Sequence, residues 1–167
     1  FRHAGIPVGV ADNLACAHWE KLVWNIPFNG LGVASCAGLE AMNAAAEPSD
    51  VVERRGPCLT TDQLLADEGW FSWVRGLMME VIAAGRAKGL ALDDSVAEEQ
   101  IAKTRVVMGP YKPSTLLDFE LGRPLELESL FLEPLRQARA AGVKAPKLAR
   151  LCAVLEGLER SALAQKK

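Results

Sequence analysis

Apolar residues recur at helical spacing along most of the chain. Trp70, Val74, Leu77, Met78, Val81 and Ile82 predict a long helix over 70–88 that Gly89 stops. Leu148, Leu151, Leu155, Leu158 and Ala162 form a second stripe, opened by Pro146 at a first-turn position. Near the start, Trp19, Leu22, Val23, Trp24, Ile26 and Phe28 leave few polar positions, so the helix that Asp12 or Asn13 caps is apolar nearly all round and reads as buried as far as Gly38. Pro27 lies inside it, which predicts a kink or a break and a carbonyl freed near Val23. Gly30 and Gly32 read as places where another helix packs closely.

The intervening segments carry their own start and stop signals. Thr60 with Gln63 has the form of a capping box, opening a short helix to about Glu68 with Gly69 as its stop. Ser95 with Glu98 repeats the form and starts a helix that ends near Thr104 or Met108. Gly109, Pro110 and Pro113 enforce an extended turn, after which Ser114 reads as the N-cap of a helix over 115–121. An acidic helix is expected from Leu125, interrupted at Pro134 and ended by Gly142. Residues 39–46 are helix-permissive, 47–57 read as a loop, and 1–11, with Gly5, Pro7 and Gly9, read as the end of an interdomain linker. No segment alternates with period two, and there is no internal repeat. The expected fold is all-α, an irregular bundle of about six to seven helices over 12–167.

Composition narrows the function classes. A chain of 167 residues, 50% of them hydrophobic, can bury one substantial core. A net charge of −2 with scattered Lys and Arg gives no footprint for nucleic acid or an anionic membrane, and no apolar run approaches the ~20 residues that span a bilayer. Cys16, Cys36, Cys58 and Cys152 are too dispersed for a zinc site and read as reduced thiols of a cytoplasmic protein. The start at Phe1 reads as that of a fragment.

Candidate chemistry begins on the first helix. Lys21, Asn25 and Asn29 stand four residues apart and share one face. Each polar group withdrawn from water without a partner costs roughly 1–3 kcal/mol. The stripe is therefore either the wall of a pocket that receives a polar substrate or a solvated face. Ser114 begins a helix where unpaired amide donors favour an anion, and Asp118 follows one turn later. Glu80 reads as a surface carboxylate or the partner of an interior cation. Gly30-Leu31-Gly32 lacks the preceding strand and third glycine of a dinucleotide loop.

Taken together, Trp19-Glu20-Lys21 with Asn25 and Asn29, then Lys112-Pro113-Ser114 with Asp118, Gly122-Arg123 and Glu126, resemble the helical C-terminal domain of the ketopantoate (2-dehydropantoate 2-) reductases. Ala141-Gly142-Val143 and Pro146 are similar to that family's closing segment. Thr115 stands where the family usually has methionine, and Leu125 replaces a threonine, so the substrate side of the pocket is expected to differ. The fold implied is that of the C-terminal domain of 6-phosphogluconate-dehydrogenase-type reductases. The resemblance implies an N-terminal Rossmann domain that binds NADPH, absent from this chain, and an isolated fragment without activity. It implies Lys21 as general acid, Glu126 as its electrostatic support and a contact for cofactor hydroxyls, and Asn25, Asn29 and Ser114 as substrate ligands. The implied partners are a 2-oxo acid, the chain's own Rossmann domain and a second copy in a homodimer. The competing readings are a reductase of another 2-oxo acid and a non-catalytic helical oligomerisation module.

Overall fold

The apolar run around Trp24 becomes the axis of the molecule. In the computed structural model, which describes residues 13–44 and 52–164, it forms α1 (Leu14–Ala34). Asn13 caps it, its Oδ1 accepting the Cys16 N–H at 3.1 Å. Every residue from Ile26 to Ala34 is buried, because other helices surround this half of α1. The helix runs through Pro27 without a break. Burial on all sides offsets a proline whose missing N–H and steric clash cost about 3 kcal/mol in a helix interior. Val23 is 0% exposed, so the carbonyl freed opposite Pro27 is shut in the core and not offered to a ligand.

After a 3₁₀ turn (Ser35–Ala37), Gly38 reverses the chain at φ 88° and α2 (Leu39–Asn43) follows. The expected capping box opens α3 (Thr61–Ala66), with Gln63 Oε1 accepting the Thr60 N–H at 3.0 Å. Asp67, not Gly69, ends that helix. Its extended backbone breaks the run, and its Oδ1 accepts the Trp70 N–H at 2.9 Å, which caps α4 (Glu68–Ala87). Gly69 is the second residue of α4, where a Cβ would lie 2.4 Å from Leu39 Cδ2. The glycine answers to close packing from a distant segment.

α5 (Ser95–Lys103) is opened by Asp93, whose Oδ1 accepts the Ser95 N–H at 2.9 Å, while Glu98 pairs with Arg75 at 2.9 Å. Ser95 and Glu98 therefore form no capping box. A π turn (Thr104–Met108) continues α5 and leads through the Gly109–Pro113 turn to α6 (Ser114–Glu120). The acidic helix starts two residues later than Leu125, at Leu127, and its first turn is a second π turn (Glu128–Leu132). Glu133 N–H bonds to Glu128 C=O there, so Pro134 falls in the first turn of α7 (Glu133–Ala140) without stopping the helix.

α8 (Pro146–Ala164) closes the all-α fold, and α3, α4, α5, α6 and α8 all pack on α1. Gly30 is a point of close approach on α1: a Cβ there would lie 2.6 Å from Leu151 and 2.8 Å from Phe131. Among the described residues there are eight α-helices and no strand. No helix among them is long and apolar enough to cross a membrane, and all four cysteines are free thiols. The expected linker over 1–11, much of the 47–57 loop and the last three residues lie outside the described residues.

Glu80 meets neither expectation: it is half-buried and accepts the Lys147 and Leu148 N–H groups at 2.9 and 2.8 Å, capping α8 from α4. Burial raises its pKa above the ordinary 4.5, although both amides and the Lys147 charge oppose the rise. The folded chain thus holds this proton to higher pH than the unfolded chain. Stability present below the unfolded value is lost as pH rises through the raised one. Urea unfolding of the parent and of Glu80→Gln across acid to neutral pH should show the parent losing ground from about pH 4 upward, by no more than about 1.4 kcal/mol per pH unit. Parallel curves would remove this assignment.

Candidate active site

The stripe on α1 runs from solvent into the core. Lys21 is exposed, Asn25 is half-buried and Asn29 is 4% exposed. The desolvation cost falls on Asn29, which spends its amide inside the protein: Nδ2 donates to Asn25 C=O at 3.0 Å and Oδ1 accepts the Thr115 N–H at 3.2 Å. Thr115 is the second residue of α6, and the N-cap position of α6 is Pro113, which has no side-chain acceptor. Asn29 therefore caps α6 from α1. Ser114, expected at the N-cap, is the first helical residue and is exposed. Asn29→Ala leaves the Thr115 amide buried without a partner and should lower unfolding free energy by about 1–3 kcal/mol, read from the urea midpoint. A change below about 0.5 kcal/mol would contradict this role.

That bond brings α6 onto the polar face of α1. Lys21, Asn25, Asn29, Ser114 and Glu126 line a single cleft of about 250 Å³. All five candidate site residues thus meet in one place, drawn from α1, the start of α6 and the segment before the second π turn. Glu126 is held at the rim because its C=O accepts the Leu130 N–H at 3.1 Å while the Leu125 N–H donates to Glu159 at 3.0 Å. The turn before Ser114 is fixed by Thr61, whose Oγ1 donates to Gly109 C=O at 2.8 Å and whose N–H donates to Tyr111 C=O at 3.1 Å. Those five residues bring one cation, one carboxylate, two carboxamides and a hydroxyl to the cleft.

Other residues of the motif do structural work. Lys112 pairs with Glu120 at 2.8 Å and Asp118 with Arg123 at 3.0 Å. Neither Thr115 nor Leu125 lines the cleft: Thr115 is 3% exposed with an unpartnered buried hydroxyl, and Leu125 is half-buried. The apolar lining comes from Trp24, Tyr111, Pro113 and Leu130. Trp24 reads in the sequence as part of a helix apolar nearly all round, and Leu130 carries no signal of its own. Tyr111 carried one signal, being the chain's single tyrosine in a turn rich in Gly and Pro.

Trp24 is anchored, its Nε1 donating to Thr104 Oγ1 at 2.9 Å and its ring lying 5.1 Å from that of Phe28. With Lys21 and Asn25 it also lines a second cleft of about 530 Å³, whose far wall is the first π turn with Val107 and Met108.

Residues 41–159 match the family model for the ketopantoate reductase PanE/ApbA C terminal. The chain belongs to the ketopantoate reductase family. That match begins after α1, but similarity to whole relatives extends further. A 2-dehydropantoate 2-reductase of Nostoc sp. is 34% identical over 148 residues, which are 89% of this chain and 39% of the relative. The crystal structure of 2-dehydropantoate 2-reductase from Methylococcus capsulatus superposes with a TM-score of 0.78 at 33% identity, covering 97% of this chain and 44% of that one. Its counterpart from Geobacter metallireducens GS-15 gives 0.73 at 38% identity, covering 93% and 44%. The chain spans less than half the length of these family members. As a ketopantoate reductase family domain it carries the cleft on the part that the relatives share with it.

Proposed function

We propose that this chain is the C-terminal half of an NADPH-dependent 2-oxo acid reductase, acting in the cytoplasm on 2-dehydropantoate and yielding pantoate for pantothenate synthesis. The carrying observation is the convergence of Lys21, Asn25, Asn29, Ser114 and Glu126 on one cleft. Val107, which lines the adjoining cleft, and its neighbour Val106 are 76% and 86% exposed, apolar surface of the kind an N-terminal Rossmann domain would cover.

The described residues include no strand and no glycine-rich phosphate loop, so they give a dinucleotide's pyrophosphate no seat. A carboxylate at the open rim does fit ribose hydroxyls, and Glu126 would be this domain's contact with NADPH. The cofactor, when bound, supplies the hydride. This chain's residues supply the proton and the field. Lys21 donates a proton to the substrate's carbonyl oxygen as it gains negative charge, and its ammonium stabilises that charge beforehand. Glu126 supports the ammonium across the cleft. Asn25 and Ser114 hold the carboxylate and hydroxyl of the acid, and Asn29, with one amide hydrogen left over, closes the inner end.

The test is oxidation of NADPH by the full-length reductase, followed by absorbance, with 2-dehydropantoate and a panel of other 2-oxo acids. Turnover on the order of 1–10³ s⁻¹, best with 2-dehydropantoate, is the expected result. Equal or better turnover of another acid would replace the substrate, and no turnover of any would leave a helical module without this chemistry.

A further inference from the structure

The small cleft is polar enough to hold the head of a 2-oxo acid, and its own apolar lining of Tyr111, Pro113 and Leu130 suits a short branched side chain. The cleft beside it has about twice the volume and would take a longer or aromatic side chain if the two were joined; it is bordered by Val107 and Met108. Three residues belong to both clefts, and two of them, Lys21 and Asn25, are polar groups committed to the head. Trp24 is the third, and it alone has the bulk to divide the two spaces. Its indole is held from two directions. Thr104 Oγ1 accepts its N–H and donates its own O–H to Gln100 C=O at 2.7 Å, while the Phe28 ring, fully buried, packs against the indole from within α1. Tyr111 flanks it across the small cleft, ring centroids 6.3 Å apart.

We propose that Trp24 is the specificity-determining residue of this site: its indole, anchored by Thr104, closes the polar cleft toward the apolar one and excludes 2-oxo acids with long or aromatic side chains. The inference rests on the reading of the small cleft as the 2-oxo acid site. It assigns to Trp24 no part in proton transfer. Thr104 acts through Trp24 as a positioning residue, which gives the π turn that begins with it a function.

The experiment compares kcat/KM for 2-dehydropantoate and for phenylpyruvate in the full-length reductase and in Trp24→Leu, Trp24→Phe and Thr104→Val. Hydrophobic pockets discriminate by roughly 10–200-fold per methylene-sized change. Trp24→Leu should therefore shift the ratio toward phenylpyruvate by at least about tenfold, chiefly through KM. Trp24→Phe should recover most of the parent's preference. Thr104→Val, which keeps the indole but frees it, should shift the ratio the same way by a smaller factor. Equal losses on both acids, or a ratio unchanged in both Trp24→Leu and Thr104→Val, would overturn the proposal while leaving the oxo acid reading intact. A parent with no turnover on either acid would overturn both. Circular dichroism checks that each variant is folded; if Trp24→Leu is not, the ratio in Trp24→Phe and Thr104→Val decides.

Discussion

Lys21→Ala in the full-length reductase is expected to lower kcat by about 10²–10⁴-fold, the usual loss when a positioned general acid is removed. KM for the 2-oxo acid should change far less, because Asn25, Asn29 and Ser114 still line the cleft. Lys21 is exposed on the surface of this domain, so its removal opens no cavity and the melting temperature should stay within a degree or two. The two readouts together separate a catalytic role from a structural one. Turnover within a few-fold of the parent would take the proton donor away from this residue, and a parallel loss of stability would reassign it to the scaffold.

The second large effect is on the fold itself. Phe131, 0% exposed, sits in the second π turn and meets Gly30 so closely that a Cβ on the glycine would lie 2.8 Å from its ring. Phe131→Ala should cost about 3–5 kcal/mol, a large fraction of the 5–15 kcal/mol that holds a domain together. Leu130, its neighbour, lines the cleft, and Glu126 is bonded to that neighbour's amide. Loosening this turn should therefore also raise KM. Urea unfolding and steady-state kinetics check the two halves; a cost under about 1 kcal/mol would show that the π turn is not packed as described.

What the sequence made legible was whatever local chemistry controls. Helical spacing gave α4 and α8 close to their full length, and Thr60 with Gln63 marked the start of α3. Errors arose where a distant element decides. Gly69 looked like a stop because nothing nearby reveals that Leu39 will press against it. Pro27 looked like a break because the surroundings that stabilise α1 through it come from five other helices. Ser114 looked like a cap because the side chain that caps α6 belongs to Asn29, on another helix.

The site divides along the same line. Spacing placed Lys21, Asn25 and Asn29 on one face, but their gradient from solvent to core depends on where α6 lands. Ser114 stands out locally as a helix start that favours an anion, but only the resemblance to the reductases ties it, and Glu126 with it, to α1. The same resemblance drew attention to Thr115 and Leu125, neither of which reaches the cleft. Trp24 was hidden by its neighbours: in a helix apolar nearly all round, an indole that walls a cleft looks no different from one in the core.

The most direct test is a crystal structure of the full-length reductase with NADP⁺ and pantoate. The geometry of the cleft predicts the pantoate hydroxyl oxygen about 2.6–3.2 Å from Lys21 Nζ, with the carboxylate on Asn25 and Ser114 and Glu126 at the rim beside the cofactor. Pantoate bound elsewhere, with Lys21 Nζ turned to solvent, would contradict it.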